Sequence, residues 1–188
     1  MGERNNEYTV YRDTNNKVKD RRMVYTAGSR GDHRPVSHTG GHRRILCPFD
    51  KAESEYVKVL TEYGFDVTYS HIETGTDFFE IDNLNEYDAI VSNPPFSKRD
   101  AVFERLFESG VPFAMLMNMV GLFDSRRRWE MFNGNEFELI VPKGRVHFFT
   151  EESKGRSPAF VSIYICHGMA ERQIEFVEIP SRQIRMEL

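Results

Sequence analysis

The sequence predicts an α/β fold with a mostly parallel sheet, and two observations lead to this prediction. Short apolar runs alternate with amphipathic stretches over residues 44–117, an order typical of parallel strands joined by crossover helices. The run at residues 87–92 ends abruptly at Asn93-Pro94-Pro95-Phe96. Because neither proline has a backbone N–H for a strand ladder, the strand must end there and Asn93 must project from its carboxyl end. Ligands of open α/β sheets bind at that edge.

The first half of the domain is predicted to contain three strands and two helices. We expect the strands at residues 45–49, 65–72 and 89–92, and the helices at residues 51–63 and 98–109. The first helix presents one apolar stripe, which consists of Tyr56, Val57, Leu60 and Tyr63.

Three residues are expected to mark the ends of these helices. Gly64 is predicted as the residue after the first helix, where a left-handed conformation is common. Ser97 is predicted as the N-cap of the second helix, and Gly110 is predicted to end it.

The second half of the domain is predicted to close the sheet with antiparallel pairing. Residues 112–117 form a buried strand, and residues 137–141 and 160–166 form two more strands with no clear helix between them. Residues 121–132 are predicted as a polar loop or helix, and the tail from residue 171 as an edge strand or an arm.

Residues 1–43 differ from the rest of the chain. They are rich in Arg, Lys, His and Gly and have no sustained apolar period. We expect a basic, flexible arm, with short strands near residues 8–11 and 23–26 as the alternative. Residues 44–188 are expected to form the folded domain.

Composition excludes several classes of protein. In 188 residues, 39% are hydrophobic and no apolar run approaches the length of a membrane-spanning helix, which is about 18 residues. The polar N-terminus has no signal segment, and Cys47 and Cys166 provide neither a disulfide framework nor metal-ligand spacing. No P-loop and no Ser-His-Asp set is present. We therefore expect a cytoplasmic protein with buried thiols and without a metal or membrane partner.

Four motifs resemble those of one enzyme family. They are Asn93-Pro94-Pro95-Phe96, Cys47-Pro48-Phe49-Asp50, Ser70-His71-Ile72 and Asp77-Phe78-Phe79. Together they resemble the S-adenosylmethionine-dependent methyltransferases that modify N6 of adenine in DNA, in a divergent branch found in phages and mobile elements. The resemblance covers residues 45–166. It implies a class I methyltransferase-like, Rossmann-like three-layer sandwich with an antiparallel final strand.

The resemblance also implies roles for the four residues after the third strand. Asn93 and the Pro94 carbonyl would accept the two N6 hydrogens of adenine, Pro95 would hold them in place, and Phe96 would stack on the base. The target adenine would be flipped out of the duplex.

On the cofactor side, the resemblance assigns S-adenosylmethionine to the loops after the first two strands. The family's glycine-rich loop is replaced by Pro48, Phe49 and Asp50. His71 would bond a ribose hydroxyl or be structural. Asp77, with Phe78, would lie beside the cofactor adenine, and a polar loop is the alternative for Asp77.

Basic residues in the second half of the chain are the candidates for contacts with DNA. Arg126, Arg127 and Arg128 precede Trp129, a combination typical of phosphate contacts, although a solvated helix face fits equally. Lys143 and Arg145, with His147 beside them, are secondary candidates.

Two other functions remain open. The missing glycine-rich loop fits a silent methyltransferase-like protein that binds nucleic acid or a protein partner. The Asn-Pro-Pro-Phe motif also fits an enzyme that modifies RNA adenine or a protein amide. The recognition sequence and the oligomeric state are not encoded in any motif.

Overall fold

The structure is a computed structural model that describes residues 43–143 and 161–178. The predicted basic arm lies outside these ranges except for Arg43, and so do residues 144–160 and 179–188. The division into an arm and a domain beginning at residue 44 therefore stays a prediction.

Across the described ranges, seven strands form one sheet in the order β2-β1-β3-β4-β6-β5-β7. In chain order, β1 to β7 are Arg44–Cys47, Asp66–Tyr69, Ala89–Ser92, Phe113–Asn118, Glu138–Pro142, Ser162–His167 and Ile174–Val177. Strands β2, β1, β3 and β4 pair in parallel, and β6 is antiparallel to both β4 and β5.

This arrangement confirms the predicted fold class, a mostly parallel sheet with antiparallel pairing in its last part. The antiparallel strand is β6, whereas the final strand was predicted to be the antiparallel one. β7 pairs in parallel with β5 and forms the sheet edge, so the described part of the tail is an edge strand.

Helix α1, Glu55–Glu62, begins later than predicted. The Ser54 hydroxyl accepts the backbone N–H of Tyr56 and caps the helix, so the residues from 51 to 54 form a turn instead. Gly64 ends the helix as predicted, with φ of 82°. Its N–H donates to the Thr61 carbonyl and that of Phe65 to the Leu60 carbonyl, the paired bonds of a Schellman motif.

Helices α2, Arg99–Ser109, and α3, Arg126–Asn133, follow β3 and β4. The prediction that Ser97 caps α2 is wrong. Ser97 lies inside a 3-10 turn, Phe96–Lys98, and Lys98 occupies the cap position without a side-chain bond. The rigid prolines before this turn set the path of the chain into α2.

The core has two parts, one on each face of the sheet. Val57 and Leu60 of α1 pack on one face, and Phe103 of α2 and Phe132 of α3 pack on the other. The molecule therefore has the three layers that were predicted. Both cysteines are buried and free, as expected.

No helix in the described part of the chain combines the length and the apolar character that crossing a bilayer requires.

Candidate active site

The carboxyl end of β3 carries the Asn-Pro-Pro-Phe motif. Asn93 is half-buried, Pro94 is buried, and Pro95 and Phe96 are exposed. The Phe96 side chain is 43% exposed although it is a large apolar group. The motif thus presents a polar group, a rigid backbone and an aromatic ring at the sheet edge that parallel folds use for ligands.

The side-chain oxygen of Asn93 is the most informative atom at this edge. Oδ1 is buried and has no hydrogen-bond partner in the structure. An acceptor left in this state costs about 1–3 kcal/mol, and buried polar groups are paired in most proteins. A donor from a ligand would satisfy this oxygen.

The loop after β1 is tied to the same edge by a buried carboxylate. The Ser54 hydroxyl donates to one oxygen of Asp50, and the Ser92 hydroxyl donates to the other. Ser92 also accepts the backbone N–H of Phe49 at 3.2 Å. Asp50 therefore connects the loop after β1 both to the start of α1 and to the last residue of β3.

Burial raises the pKa of the Asp50 carboxyl above its ordinary value. The two serine hydroxyls and the nearby His71 act in the opposite direction, because each favours the ionised form. A hydroxyl donor on each oxygen is what allows a carboxylate to remain in such an enclosed place.

The order of the strands in the sheet reverses at β1, which makes this edge a topological switch point. β1 lies between β2 and β3, so the connections that leave β1 lead first to one side of it and later to the other. Pro48, Phe49 and Asp50 follow β1, and Asn93 follows β3, at this same edge. Pro48 is buried and Phe49 is half-buried.

After β2, the polar side chains are paired with one another. The Nδ1 atom of His71 accepts the backbone N–H of Glu73 at 3.1 Å and caps a short 3-10 turn. Lys51 donates to the Glu73 carboxylate, a bond that raises the lysine pKa and lowers the pKa of the glutamate. His71 thus has a structural role, and its assignment to a ribose hydroxyl stays a prediction.

Asp77 and Phe78 lie in different environments. Asp77 is half-buried and its carboxylate accepts the backbone N–H of Phe79 at 3.0 Å, which caps a 3-10 turn. Phe78 is only 1% exposed and packs against the ring of Phe49 at a centroid distance of 5.0 Å. Phe78 is therefore a core residue that supports Phe49 and has no surface for a ligand, contrary to its predicted place beside the cofactor.

The three arginines of α3 also have different surroundings. Arg126 is 90% exposed and pairs with Glu130, whereas Arg127 donates two bonds of 2.7 Å to the Glu104 carboxylate of α2. Arg128 is 17% exposed. It donates to the Gly121 carbonyl and pairs with two carboxylates, those of Asp100 and Asp124. Arg128 is therefore part of the scaffold. Arg126 and Arg127 face outward, and their role in phosphate contact stays a prediction.

Arg99 also lies at this edge, and no motif in the sequence indicated it. Its guanidinium donates to the Val120 and Gly121 carbonyls, each at 3.1 Å, and so fastens the loop after β4 to the start of α2. Gly121 has φ of 68°, and a Cβ there would lie 2.8 Å from Asp124 Oδ2. One sequence signal could have indicated a turn here. Gly121 is followed three residues later by Asp124, and both residue types are common in turns.

The remaining predicted residues lie at the end of β5 or beyond it. Lys143 donates to the Glu178 carboxylate on the surface next to β7, which places it on the opposite side of β6 from the motif. Arg145 and His147 are outside the described residues. Residues 43–143 and 161–178 contain no group of His, Cys, Asp or Glu that could hold a metal ion.

Among known proteins, only solved structures show a likeness to this chain. No protein-family model matches the chain, and no curated protein matches it. A precorrin-6y C5,15-methyltransferase from Geobacter metallireducens is similar over 68% of this chain and 80% of its own, with a TM-score of 0.38 and 8% identity. A putative methyltransferase of Thermoplasma acidophilum is similar over 74% and 72%, with a TM-score of 0.36 and 12% identity. Likeness at these values identifies neither a family nor an activity.

Proposed function

We propose that this chain is an S-adenosylmethionine-dependent methyltransferase that modifies the N6 amine of adenine in DNA. The observation that carries the proposal is the unpartnered, buried Oδ1 of Asn93 at the carboxyl end of β3. An exocyclic amine is a donor of the kind that this oxygen lacks.

The residues around Asn93 supply the rest of an acceptor site. The Asn93 oxygen and the Pro94 carbonyl accept the two N6 hydrogens, which draws the nitrogen lone pair out of conjugation with the ring. Phe96, exposed at the same edge, stacks on the base. These groups orient the amine and need no strong base. Holding two reacting groups in the correct orientation can lower the activation barrier by up to roughly 7–11 kcal/mol.

We infer that the cofactor binds at the topological switch point between β1 and β3. The half-buried Phe49, His71 and Asp77, which follow β1 and β2, offer an aromatic ring, an imidazole and a carboxylate for it. These are groups that can pack on a nucleoside and bond its hydroxyls and amine. When bound, S-adenosylmethionine would supply an electrophilic methyl group and leave as S-adenosylhomocysteine, while the methylated amine releases one proton to water. The residues after β1 and β2 would hold the cofactor.

The proposed DNA substrate requires base flipping. The amine of a paired adenine is inaccessible in a duplex, so the base must be flipped out, at a cost of a few kcal/mol. The outward-facing Arg126 and Arg127 provide charge for phosphates, and both must then exchange their acidic partners for DNA. This exchange predicts modest affinity that decreases with salt.

Radiolabelled methyl transfer to a panel of acceptors tests the proposal. The panel consists of adenine-containing DNA in single and double strands, the same sequence as RNA, and a glutamine-containing peptide, each with S-adenosylmethionine. We expect label in DNA, and more in single-stranded DNA because no base pair has to be opened.

Other outcomes assign other functions. Label that appears only in RNA or only in the peptide moves the activity to that acceptor. If no acceptor is labelled and calorimetry at high micromolar protein detects no cofactor binding, the proposed activity is wrong. DNA binding that is unaffected by the cofactor would then indicate a silent binding protein.

A further inference from the structure

The buried carboxylate of Asp50 has contacts that a cofactor ligand would not have. Both of its oxygens already accept a serine hydroxyl, one from Ser54 and one from Ser92. Asp50 is 7% exposed and Ser92 is fully buried. A side chain in this state has little surface for a small molecule, so its effect on a reaction has to pass through its neighbours.

Ser92 is the neighbour through which such an effect would reach the site. It is the last residue of β3 and directly precedes Asn93. Its hydroxyl accepts the Phe49 N–H and donates to Asp50, so it joins the loop after β1 to the end of β3. Loss of these two bonds would leave the residue before Asn93 without this tie to the loop after β1.

We propose that Asp50 is a positioning residue: through the Ser92 hydroxyl it holds Asn93 in register with the loop after β1. This inference rests on the proposed function, because it assigns to Asp50 a part in the same methyl transfer. It also revises the expectation from the sequence that Asp50 contacts the cofactor. Asp50 fixes the distance between the two halves of the site, a task that this loop performs without glycines.

The geometry of the network makes the two serines unequal. Ser54 connects Asp50 to the first turn of α1, where it is the helix N-cap, whereas Ser92 connects it to Asn93. Loss of the Ser54 hydroxyl should therefore reduce stability more than turnover. Loss of the Ser92 hydroxyl should reduce turnover.

Steady-state kinetics of four variants test this inference. The variants are Ser92→Ala, Asp50→Ala, the double variant, and Ser109→Ala as a control. Ser109 makes comparable bonds, to the Leu106 carbonyl and from the Val111 N–H, at the far end of α2. Thermal unfolding of each variant identifies any that does not fold, and Ser92→Ala removes one atom only, so it keeps the test open if Asp50→Ala unfolds.

We expect Ser92→Ala to lower kcat about 10- to 100-fold, the size of effect that a small misplacement of a reacting group produces. The KM for S-adenosylmethionine should change less than threefold, and Ser109→Ala should match the wild type. The double variant should lose no more than Asp50→Ala alone, because the two residues act in one chain.

Three outcomes would overturn the inference. They are an unchanged kcat in Ser92→Ala, a rise in KM for the cofactor with kcat unchanged in Asp50→Ala, and additive losses in the double variant. A wild type that transfers no methyl group to any acceptor would refute the proposed function itself. An active wild type with any of the three outcomes above would refute only the positioning role of Asp50.

Discussion

The two halves of the candidate site satisfy their polar groups in opposite ways. In the half after β1 and β2, Asp50 bonds two serines, Lys51 pairs with Glu73, and His71 caps a turn. In the half after β3, the Asn93 oxygen is buried without a partner and Phe96 is exposed.

The same sheet edge is therefore made rigid in two different ways. The loops after β1 and β2 are held by side-chain bonds, so a ligand there has to fit a preformed surface. The segment after β3 is held by two prolines, which fix its backbone without using any donor, and its acceptor remains for a substrate. Substitutions after β3 should therefore reduce activity or DNA binding more than stability, whereas loss of side-chain bonds elsewhere should reduce stability.

The largest expected effect is that of Asn93→Ala. It should lower kcat/KM for DNA about 100- to 1,000-fold, the usual size for loss of one preorganised polar group. Its free energy of unfolding should stay within about 1 kcal/mol of the wild type or rise, because the oxygen that is removed has no partner to lose. Activity assays and urea denaturation measure the two effects.

Asn83→Ala is the matched control, because the Asn83 side chain bonds Glu86 on the surface. It should leave activity unchanged. A strong loss of stability in Asn93→Ala would contradict the contrast between the halves, since it would mean that Asn93 has a structural partner.

Phe96→Ala should have the next largest effect. Stacking of an aromatic side chain on a base contributes about 1–3 kcal/mol, so binding of single-stranded DNA should weaken about 5- to 150-fold. Fluorescence anisotropy with an adenine-containing oligonucleotide measures this. Phe176→Ala, in which the lost ring is 79% exposed on edge strand β7, should leave binding unaltered. Equal losses in both variants would remove the assignment of Phe96 to the base.

Substitutions of the α3 arginines should have smaller effects, and they compare the half-buried Arg128 with the exposed Arg126. Arg128→Ala should destabilise the fold by about 1–3 kcal/mol. It removes the ion-pair partner of Asp124, and it leaves the Gly121 carbonyl and Asp100 with only their contacts to Arg99. Arg126→Ala should change stability by less than about 0.5 kcal/mol but should lower the salt dependence of DNA binding by about one unit of slope. Unfolding and salt titrations distinguish them, and the reverse ranking in stability would contradict the structure.

The smallest effect concerns Cys47, the last residue of β1. Burial, with Asp50 nearby, raises the pKa of its thiol well above the ordinary value, so little thiolate exists at neutral pH. Iodoacetamide at pH 8 should label the native protein far more slowly than the urea-unfolded protein. Cys166, also buried with a raised pKa, is the internal reference. Fast labelling of Cys47 alone would show that the loop after β1 opens.

Much of the fold could be predicted from the sequence because its signals are local. Proline pairs, apolar runs and Gly64 depend on short stretches of chain, so strand positions and the end of α1 followed from them. The start of α1 was predicted too early because Ser54, and not an earlier residue, caps the helix with its hydroxyl. The partner strands of β5 depend on pairing between distant segments, which no local pattern contains.

The site was predictable only on its acceptor side. Asn93 and Phe96 could be found because the prolines beside them are conspicuous. The Asp50–Ser92 bond and the Arg99–Gly121 bond join residues more than 20 positions apart, and neither has a spacing rule. Phe78 was misassigned because a buried and an exposed aromatic look alike in a sequence.

We propose that the carboxyl end of β3 receives the exocyclic amine of adenine for methylation. Transfer of a labelled methyl group to two oligonucleotides tests this most directly: the only adenine of the first is replaced in the second by purine, which lacks the amine. We expect N6-methyladenine in the first oligonucleotide and no label in the second. Absence of N6-methyladenine from the first, or equal labelling of both, would contradict it.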